Sequence, residues 1–404
     1  MKTSSPQPAK PVARPSEPAA DRPDPLPAAD VHGLRELPGV HVDGYSLQLR
    51  DKDGFVGDQA SQTAFRELLE RWRKRRRKNG KDPLGELHSR DLSKKDLDRA
   101  LSAKKASEAA DVMHGVIEEF TEELASVIQR FLRQPSWQKV ERIVIGGGFP
   151  ESDVGERAVL QTGAILEELG LHVQLGRLSH NVDDGGLIGW VHLTPEALLK
   201  KYDAILAVDI GGTNVRCGIV KTRYRKTQDF SRAEVVRREK WRHADEGPNR
   251  SFMVEHIADM LMDMVRYSER KKIRLAPFIG IGCPGLIRSD GSIARGAQNL
   301  PGDWESHAFH LPTAVWRRML MLGADPMLVL MHNDAVVQGL SELPFMRDVK
   351  HWGVLTIGTG LGNVSFTNTP MPQELKEAKS EKKNQSKKNQ SKKAVKQKKT
   401  TPGA

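Results

Sequence analysis

The sequence predicts a mixed α/β fold with two lobes, and three observations carry that expectation. Between residues 39 and 368, short apolar runs of strand length alternate with amphipathic stretches of helix length, a pattern of neither helical bundles nor β-sandwiches. Three glycine-rich turns, at 146–148, 209–214 and 358–362, each directly follow an apolar run. At 404 residues the chain is long enough to enclose two cores.

Residues 1–38 are rich in Pro and Ala and lack hydrophobic periodicity. Such composition cannot bury enough apolar area to offset backbone entropy, so a disordered extension is expected. Ser61 to Lys78 reads as a helix, apolar at Phe65, Leu68, Leu69 and Trp72 and ending in the run RWRKRRRKNGK, a solvated basic helix end or an anion-binding patch. From Ser107 to Gln134, residues including Val112, Val116, Phe120, Leu124, Val127 and Phe131 keep one face of a long helix. The strand ERIVIGGGF follows, then a helix from Arg157 to Leu169 and a strand from His172 to Leu175. TPEALLKKY opens another helix, with Thr194 as N-cap and Pro195 in the first helical position. DAILAVDIGGTNVRCGIVKT reads as strand, glycine turn and second strand. Beyond it lie a helix from Phe252 to Ser268, the strand and loop FIGIGCPGLI, the loop SDGSIARGAQNLPGDW, a helix near Ala314 to Leu322 and the strand MLVLMHND. WGVLTIGTGLGNVSFTN repeats the strand, turn, strand pattern. The tail from about Pro372 contains the tandem unit KKNQSKKNQSKK, whose like charges repel, so it too is expected to be disordered.

The charge balance belongs mainly to that tail. Residues 373–404 hold 11 Lys against 3 Glu, leaving about +3 of the net +11 on the rest of the chain. The tail suits a solubilising extension or an attraction for a polyanion. No apolar run approaches the roughly 20 residues of a membrane helix, and the N-terminus lacks the apolar core of a secretory signal. Two cysteines, Cys217 and Cys283, exclude a disulfide framework or a four-cysteine zinc site. The expectation is a cytoplasmic protein with no membrane partner.

The glycine turns carry the chemistry. Glycine lets backbone N–H groups approach an anion, and turns after strands form phosphate-binding concavities. None of the three matches the P-loop pattern or the dinucleotide GxGxxG opening a helix. Asp209 and Asp334 both stand at the ends of apolar runs, where a carboxylate is costly unless a cation or hydrogen bonds offset it. Asp209 can cap its glycines or hold a cation. Asp334 can serve as general base, metal ligand or helix N-cap.

DIGGTNVRCGIV resembles the first phosphate motif of sugar kinases in the actin, heat-shock-70 and hexokinase superfamily. CPGLIRSDGSIARGAQNLPGDW, HNDA and TIGTGLG resemble the following segments of the ROK family (repressors, open reading frames and kinases), which includes bacterial glucokinases. ERIVIGGGF resembles that family's adenosine motif, and NVDDGGLIGWVHL the segment near its C-terminus. The resemblance spans roughly residues 40–368 and implies a two-lobed actin-like ATPase (ribonuclease H-like) fold. The order differs, because the adenosine motif at 142–149 precedes the first phosphate motif at 209–214. The chain therefore resembles a circularly permuted member, with 193–203 joining the family's two ends and new termini opening after the second phosphate hairpin. On this reading 39–193 is the first segment of a larger lobe, 194–330 a smaller lobe, 331–368 the larger lobe's second segment, and 369–404 a tail.

The resemblance assigns roles residue by residue. Asp209 would hold magnesium, usually through water. Gly211, Gly212, Thr213 and Asn214 would cradle the phosphates of ATP together with Gly358, Thr359, Gly360 and Gly362, and Gly147 and Gly148 would face the adenosine. Asn333 would bond a sugar hydroxyl, Asn299 and Gly291 lie in the family's sugar-side loop, and Asp334 would accept the proton of the attacking hydroxyl. A small-molecule sugar is the implied partner, and a homodimer is compatible with the family. There are departures. The family's Glu-x-Gly-His sugar segment has no counterpart after Gly362 or between Val40 and Ser61, the cysteine-rich zinc motif is absent so that no structural zinc is expected, and Asn363 stands where another small residue is common. Two alternatives stay open: a polyphosphate donor, suggested by the Arg71–Lys81 cluster and the tail, and a non-catalytic sugar or nucleotide sensor. The Pro-rich N-terminus shows no helix-turn-helix.

Overall fold

The computed structural model describes residues 32–52, 54–78, 80–103, 107–297 and 299–370. The expected Lys-rich tail and the first 31 residues lie outside them. The expected N-terminal extension reaches too far, because residues 32–38 belong to the fold: His32 is buried and a first short strand follows. That segment is held by backbone pairing, which apolar periodicity does not report.

In chain order the elements are β1 (Glu36–Leu37), β2 (Val40–Tyr45), the short pair β3 (Arg50–Asp51) and β4 (Gly54–Phe55), then helices α1 (Gln62–Arg77), α2 (Lys94–Leu101) and α3 (Glu108–Leu132). Next come β5 (Arg142–Gly146), α4 (Asp153–Glu168), β6 (Gln174–Arg177), α5 (Val182–Ile188) and α6 (Glu196–Lys201). The hairpin β7 (Ala204–Ile210) and β8 (Val215–Lys221) is followed by β9 (Glu234–Trp241), α7 (Arg250–Arg270), β10 (Leu275–Cys283) and the small pair β11 (Leu286–Ile287) and β12 (Ile293–Arg295). The chain closes with α8 (Leu311–Met321), β13 (Leu328–Asn333), α9 (Asp334–Glu342), β14 (His351–Ile357) and β15 (Leu361–Asn368).

Side-chain caps start most long helices: Ser61, Ser107, Ser152 and Asn249 each accept a backbone N–H from the first turn of α1, α3, α4 and α7. The start expected at Thr194 falls one residue later. Pro195 is the N-cap of α6, and the Thr194 hydroxyl instead donates back to the Trp190 carbonyl at 2.9 Å.

Two sheets organise these elements, and both follow one plan. The six-stranded sheet runs β1-β2-β15-β14-β5-β6 and the five-stranded sheet β13-β10-β7-β8-β9. In the second, β7, β8 and β9 form an antiparallel meander and β10 and β13 join β7 in parallel. In the first, β14, β15 and β2 form the same meander while β5 and β6 join β14 in parallel. Only the chain order differs, because β2, third in its meander, precedes the hairpin it completes. The boundary expected between residues 330 and 331 cuts through β13, a continuous strand of the five-stranded sheet paired along Leu328–Asn333 with β10.

The cores follow from this plan. Helices α1, α3 and α4 cover one face of the six-stranded sheet, where Phe65, Phe120 and Phe149 pack with ring centroids 5.0–5.3 Å apart. Helices α7 and α8 cover the five-stranded sheet with Met253, Ile257, Val315 and Met319. Between the sheets α5 and α9 cross closely; a side chain at Gly189 would stand 1.8 Å from the Val337 carbonyl oxygen, so only glycine fits there. This crossing sets the two sheets on either side of an open cleft.

Candidate active site

A cleft of about 1180 Å³ lies between the sheets, its floor built from strand ends and its walls from turns. Asp209, near the end of β7, and Asp334, which opens α9 directly after β13, sit at its base with one strand, β10, between theirs. The Asn333 side chain caps α9 by accepting the Val336 N–H at 3.2 Å, and Asp334 Oδ1 accepts the Ala335 N–H at 2.9 Å. A hydrophobic strand running into a capped helix thus delivers a carboxylate to the cleft.

The glycine turns at 209–214 and 358–362 meet face to face. Thr213 and Thr359 share a hydrogen bond at 2.8 Å across the cleft. Each turn is braced from behind. The Gly211 N–H donates to the Asn214 carbonyl and the Gly358 N–H to the Gly360 carbonyl, both at 2.9 Å. His243 Nε2 bonds the Gly211 carbonyl at 2.9 Å, while the Gln62 N–H and the Thr63 hydroxyl from α1 donate to the carbonyls of Gly358 and Thr359. At the third turn Gly147 has φ +86°, and a Cβ there would lie 2.3 Å from the Ile357 carbonyl oxygen. Gly148 opens toward Lys94, which pairs with Glu151 at 3.2 Å.

Of the residues singled out in the sequence, Asp209, Gly211, Gly212, Thr213, Asn214, Gly358, Thr359, Gly360, Gly362, Gly147, Gly148, Asn299 and Asp334 all line this one cleft. Two do not. Gly291 lies in the β11–β12 loop beside His32 and His310, away from the cleft wall. Asn333 is buried, its amide spent on the cap of α9, on the Gly285 carbonyl at 3.0 Å and on the Ser46 hydroxyl at 3.2 Å.

The structure adds residues to which the motifs gave no role. Arg216 on β8 donates through Nη1 to Asp209 Oδ2 at 2.8 Å and through Nε to Asp183 Oδ1 at 2.5 Å. Lys240 on β9 donates to both Asp183 oxygens at 3.0 and 3.1 Å. Arg216 stands two residues past the DIGGTN turn and Asp183 inside NVDDGGLIG, but which acid meets which base is a cross-strand fact. Gln338 on α9 accepts the Thr356 hydroxyl at 3.1 Å, tying the helix to the strand before the second turn.

Electrostatics separate the two floor carboxylates. Burial pushes Asp334 up to about 7, with the neighbouring charge of Asp209 acting in the same direction. Asp209 is also raised by burial, but the Arg216 guanidinium opposes the shift. For Asp183, burial is outweighed by Arg216 and Lys240, and its carboxyl titrates below the usual range. Burial thus raises both floor carboxyls, while Asp183 between Arg216 and Lys240 is lowered.

Among the described residues no group of three or more His, Cys, Asp or Glu side chains is placed to hold a metal ion, and no helix is long and apolar enough to cross a membrane. None of the known family models matches the chain. Its sequence is 28% identical to the glucokinase of Thermotoga maritima over 166 residues, 41% of this chain. The chain thus spans 44% of that relative's length. Among solved structures, one resembling it is a Listeria monocytogenes protein described provisionally as an N-acetylmannosamine kinase, with 22% identity, TM-score 0.29 and coverage of 42% of this chain and 48% of that one. Another is the Ppx/GppA phosphatase of Aquifex aeolicus, with 12% identity, TM-score 0.28 and coverage of 61% and 87%.

Proposed function

We propose that the protein is an ATP-dependent sugar kinase with a circularly permuted actin-like fold. The observation that carries this reading is the pair of glycine turns closed on each other at Thr213 and Thr359, above the two buried floor carboxyls Asp209 and Asp334. The likeness to a glucokinase supports the reaction class. The repeated sheet plan supports the permutation: joining the end of β15 to the start of β2, which pair at Asn368 and Val40, and opening the chain between Leu193 and Asp203 would give both sheets the same strand order.

Phosphoryl transfer requires positioning and charge neutralisation more than covalent help. The backbone N–H groups of the facing turns would hold the donor's phosphates, Gly147 and Gly148 its base and ribose. Asp209 fits a hydrated magnesium ion: a single carboxylate at the cleft floor, one oxygen held by Arg216, is the kind of ligand that cation takes beside water and phosphate oxygens. A magnesium ion held by Asp209 would supply positive charge against the donor's phosphates. Arg216 holds Asp209 and Asp183 side by side, and Lys240 fixes Asp183 from the neighbouring strand. Asp334, titrating at about 7, accepts the proton of the attacking sugar hydroxyl as the phosphorus–oxygen bond forms.

A coupled assay for ADP release over a panel of hexoses tests this. Turnover is expected with at least one hexose and is expected to fall about 10²–10⁴-fold in Asp334→Ala; undiminished activity in the variant would refute the mechanism. One observation favours a second donor. Arg66, Arg71, Lys74, Arg90 and Lys94 line the same cleft beyond the glycine turns, enough cations to carry a polyphosphate chain, and replacing ATP with polyphosphate in the assay separates the two.

A further inference from the structure

We infer that Gly186, on α5, is a positioning residue for Asp209: the side chain it lacks is the space in which the carboxylate sits, and Asp183 on the same helix holds the carboxylate there through Arg216. The inference rests on the sugar-kinase reading and deepens it, because it assigns to α5 the placing of the group proposed to hold magnesium.

The backbone of Gly186 gives no reason for a glycine. The residue lies buried inside α5, and its φ is not positive. Glycine there weakens a helix that alanine would strengthen. Space is the reason. A Cβ at Gly186 would stand 2.8 Å from Asp209 Cγ and 3.0 and 3.1 Å from its two oxygens. Carbon atoms in unstrained contact lie about 3.5–4.0 Å apart, so a methyl group there would displace the carboxylate or the helix by about 1 Å.

Neither is free to yield. Arg216 Nη1 donates to Asp209 Oδ2 at 2.8 Å, and the same guanidinium donates through Nε to Asp183 Oδ1 at 2.5 Å. Asp183 is three positions before Gly186 on α5, and Lys240 on β9 holds both its oxygens. One helix thus approaches Asp209 directly and grips it through an arginine. The helix itself is backed by α9. A Cβ at Gly185 would lie 3.2 Å from the Ser341 hydroxyl oxygen, and one at Gly189 1.8 Å from the Val337 carbonyl oxygen. α5 is therefore wedged between Asp209 and α9, the helix whose first residue is Asp334. It spaces the two floor carboxyls as well as seating one of them.

The test compares melting temperature and magnesium response in the full-length parent, Gly186→Ala, Asp209→Ala, the double variant and Asp183→Asn. Without ligand, Gly186→Ala should melt below the parent. When Asp209 is already alanine, the same change should leave the melting temperature unchanged or raise it, because only the helix-favouring effect of the methyl group remains. Magnesium added with ADP should raise the parent's melting temperature above that with ADP and EDTA. That increment should fall by more than half in Gly186→Ala and Asp209→Ala, and in part in Asp183→Asn, while the increment from ADP alone persists. In Gly186→Ala the magnesium concentration for half-maximal turnover should rise about tenfold or more, with KM for the hexose within about twofold of the parent. If Gly186→Ala does not fold, the double variant decides: removing the carboxylate should restore folding, and a double variant that also fails to fold would overturn the inference. Equal losses of melting temperature in the two backgrounds, or an intact magnesium increment in Gly186→Ala, would overturn it while leaving the kinase reading in place. A parent that turns over no hexose with ATP or polyphosphate, and whose ADP complex gains nothing from magnesium, would remove the kinase reading and this inference with it.

Discussion

Asp334 shows how much a single residue can disclose. A carboxylate ending an apolar run is expensive unless something needs it there, and that reasoning identifies Asp209 and Asp334 from sequence. It cannot foresee Arg216 or Asp183, whose roles depend on distances across strands and between segments far apart in the chain. Nor can it separate Asn333, whose amide is consumed by backbone groups, from a side chain free to meet a ligand. Asp334 also yields a stability prediction. Its folded value of about 7 lies above the ordinary 3.8. Its charge therefore destabilises the fold increasingly as pH rises from 4 to 7 and fully above that, by at most about 1.4 kcal/mol for each pH step across this window. Asp334→Asn should abolish turnover yet melt a few degrees above the parent at pH 8, the gain vanishing near pH 4. His192 has the opposite slope. Burial depresses it from 6.5 to about 3, and neither ring nitrogen finds a partner among the described residues. The unfolded chain takes up the proton first as pH falls below 6.5, costing the fold about 2 kcal/mol by pH 5. The gap in melting temperature between His192→Leu and the parent should therefore move in the variant's favour between pH 7 and 5. A constant gap would show that water or a shifted ring already accommodates the charge.

The amphipathic helices are legible because their apolar residues recur at helical spacing, and α1, α3, α7 and α8 all lie close to where periodicity puts them. Elements formed by pairing are not. β1 and β3 are two residues long, too short to show any alternation, and the link between α1 and α2 carries no periodic signal at all. That link is fastened by charge. Arg73 on α1, 1% exposed, donates to Asp82 at 3.0 and 3.1 Å, to the Ser89 hydroxyl at 3.0 Å and to the Gly85 carbonyl at 2.8 Å. Glu70 accepts both the N–H and the hydroxyl of Ser89, and its carboxyl falls to about 2: hydrogen bonds from Ser89, with Arg77, outweigh its burial. Removing one member leaves its partners buried without compensation. Arg73→Ala should cost about 3–5 kcal/mol, measurable by urea denaturation, and should release the segment carrying His88 and Arg90 from the cleft wall. A loss below about 1 kcal/mol, the range of solvated pairs, would mean that the cluster is open to water.

At the scale of the whole molecule, the fold class can be read from the alternation of elements, and the order of motifs suggests a permutation. Sheet order cannot be read, because β2 and β15 are over 300 residues apart and yet adjacent. The proposed permutation makes a direct prediction. A chain that joins residue 370 to the segment before β1 through a short linker, and opens between Leu193 and Asp203, should fold with a similar circular dichroism spectrum and keep its turnover. Failure to fold would show that the present order is required by the structure and not merely tolerated.

The segment before β1 has a mechanical meaning. His32 and Gly33 are bonded to Ser289 and Met331, and the Leu34 carbonyl to His332, all beside or on the five-stranded sheet; by Glu36 the chain has entered the other sheet. It acts as a door chain across the hinge. Two or three residues span the gap, and an extended chain reaches only about 3.5 Å per residue. The tethered edge can therefore part by only a few ångströms before those bonds break. Any wider opening has to swing about this edge, and the excursion falls on the far side, where the two threonines meet.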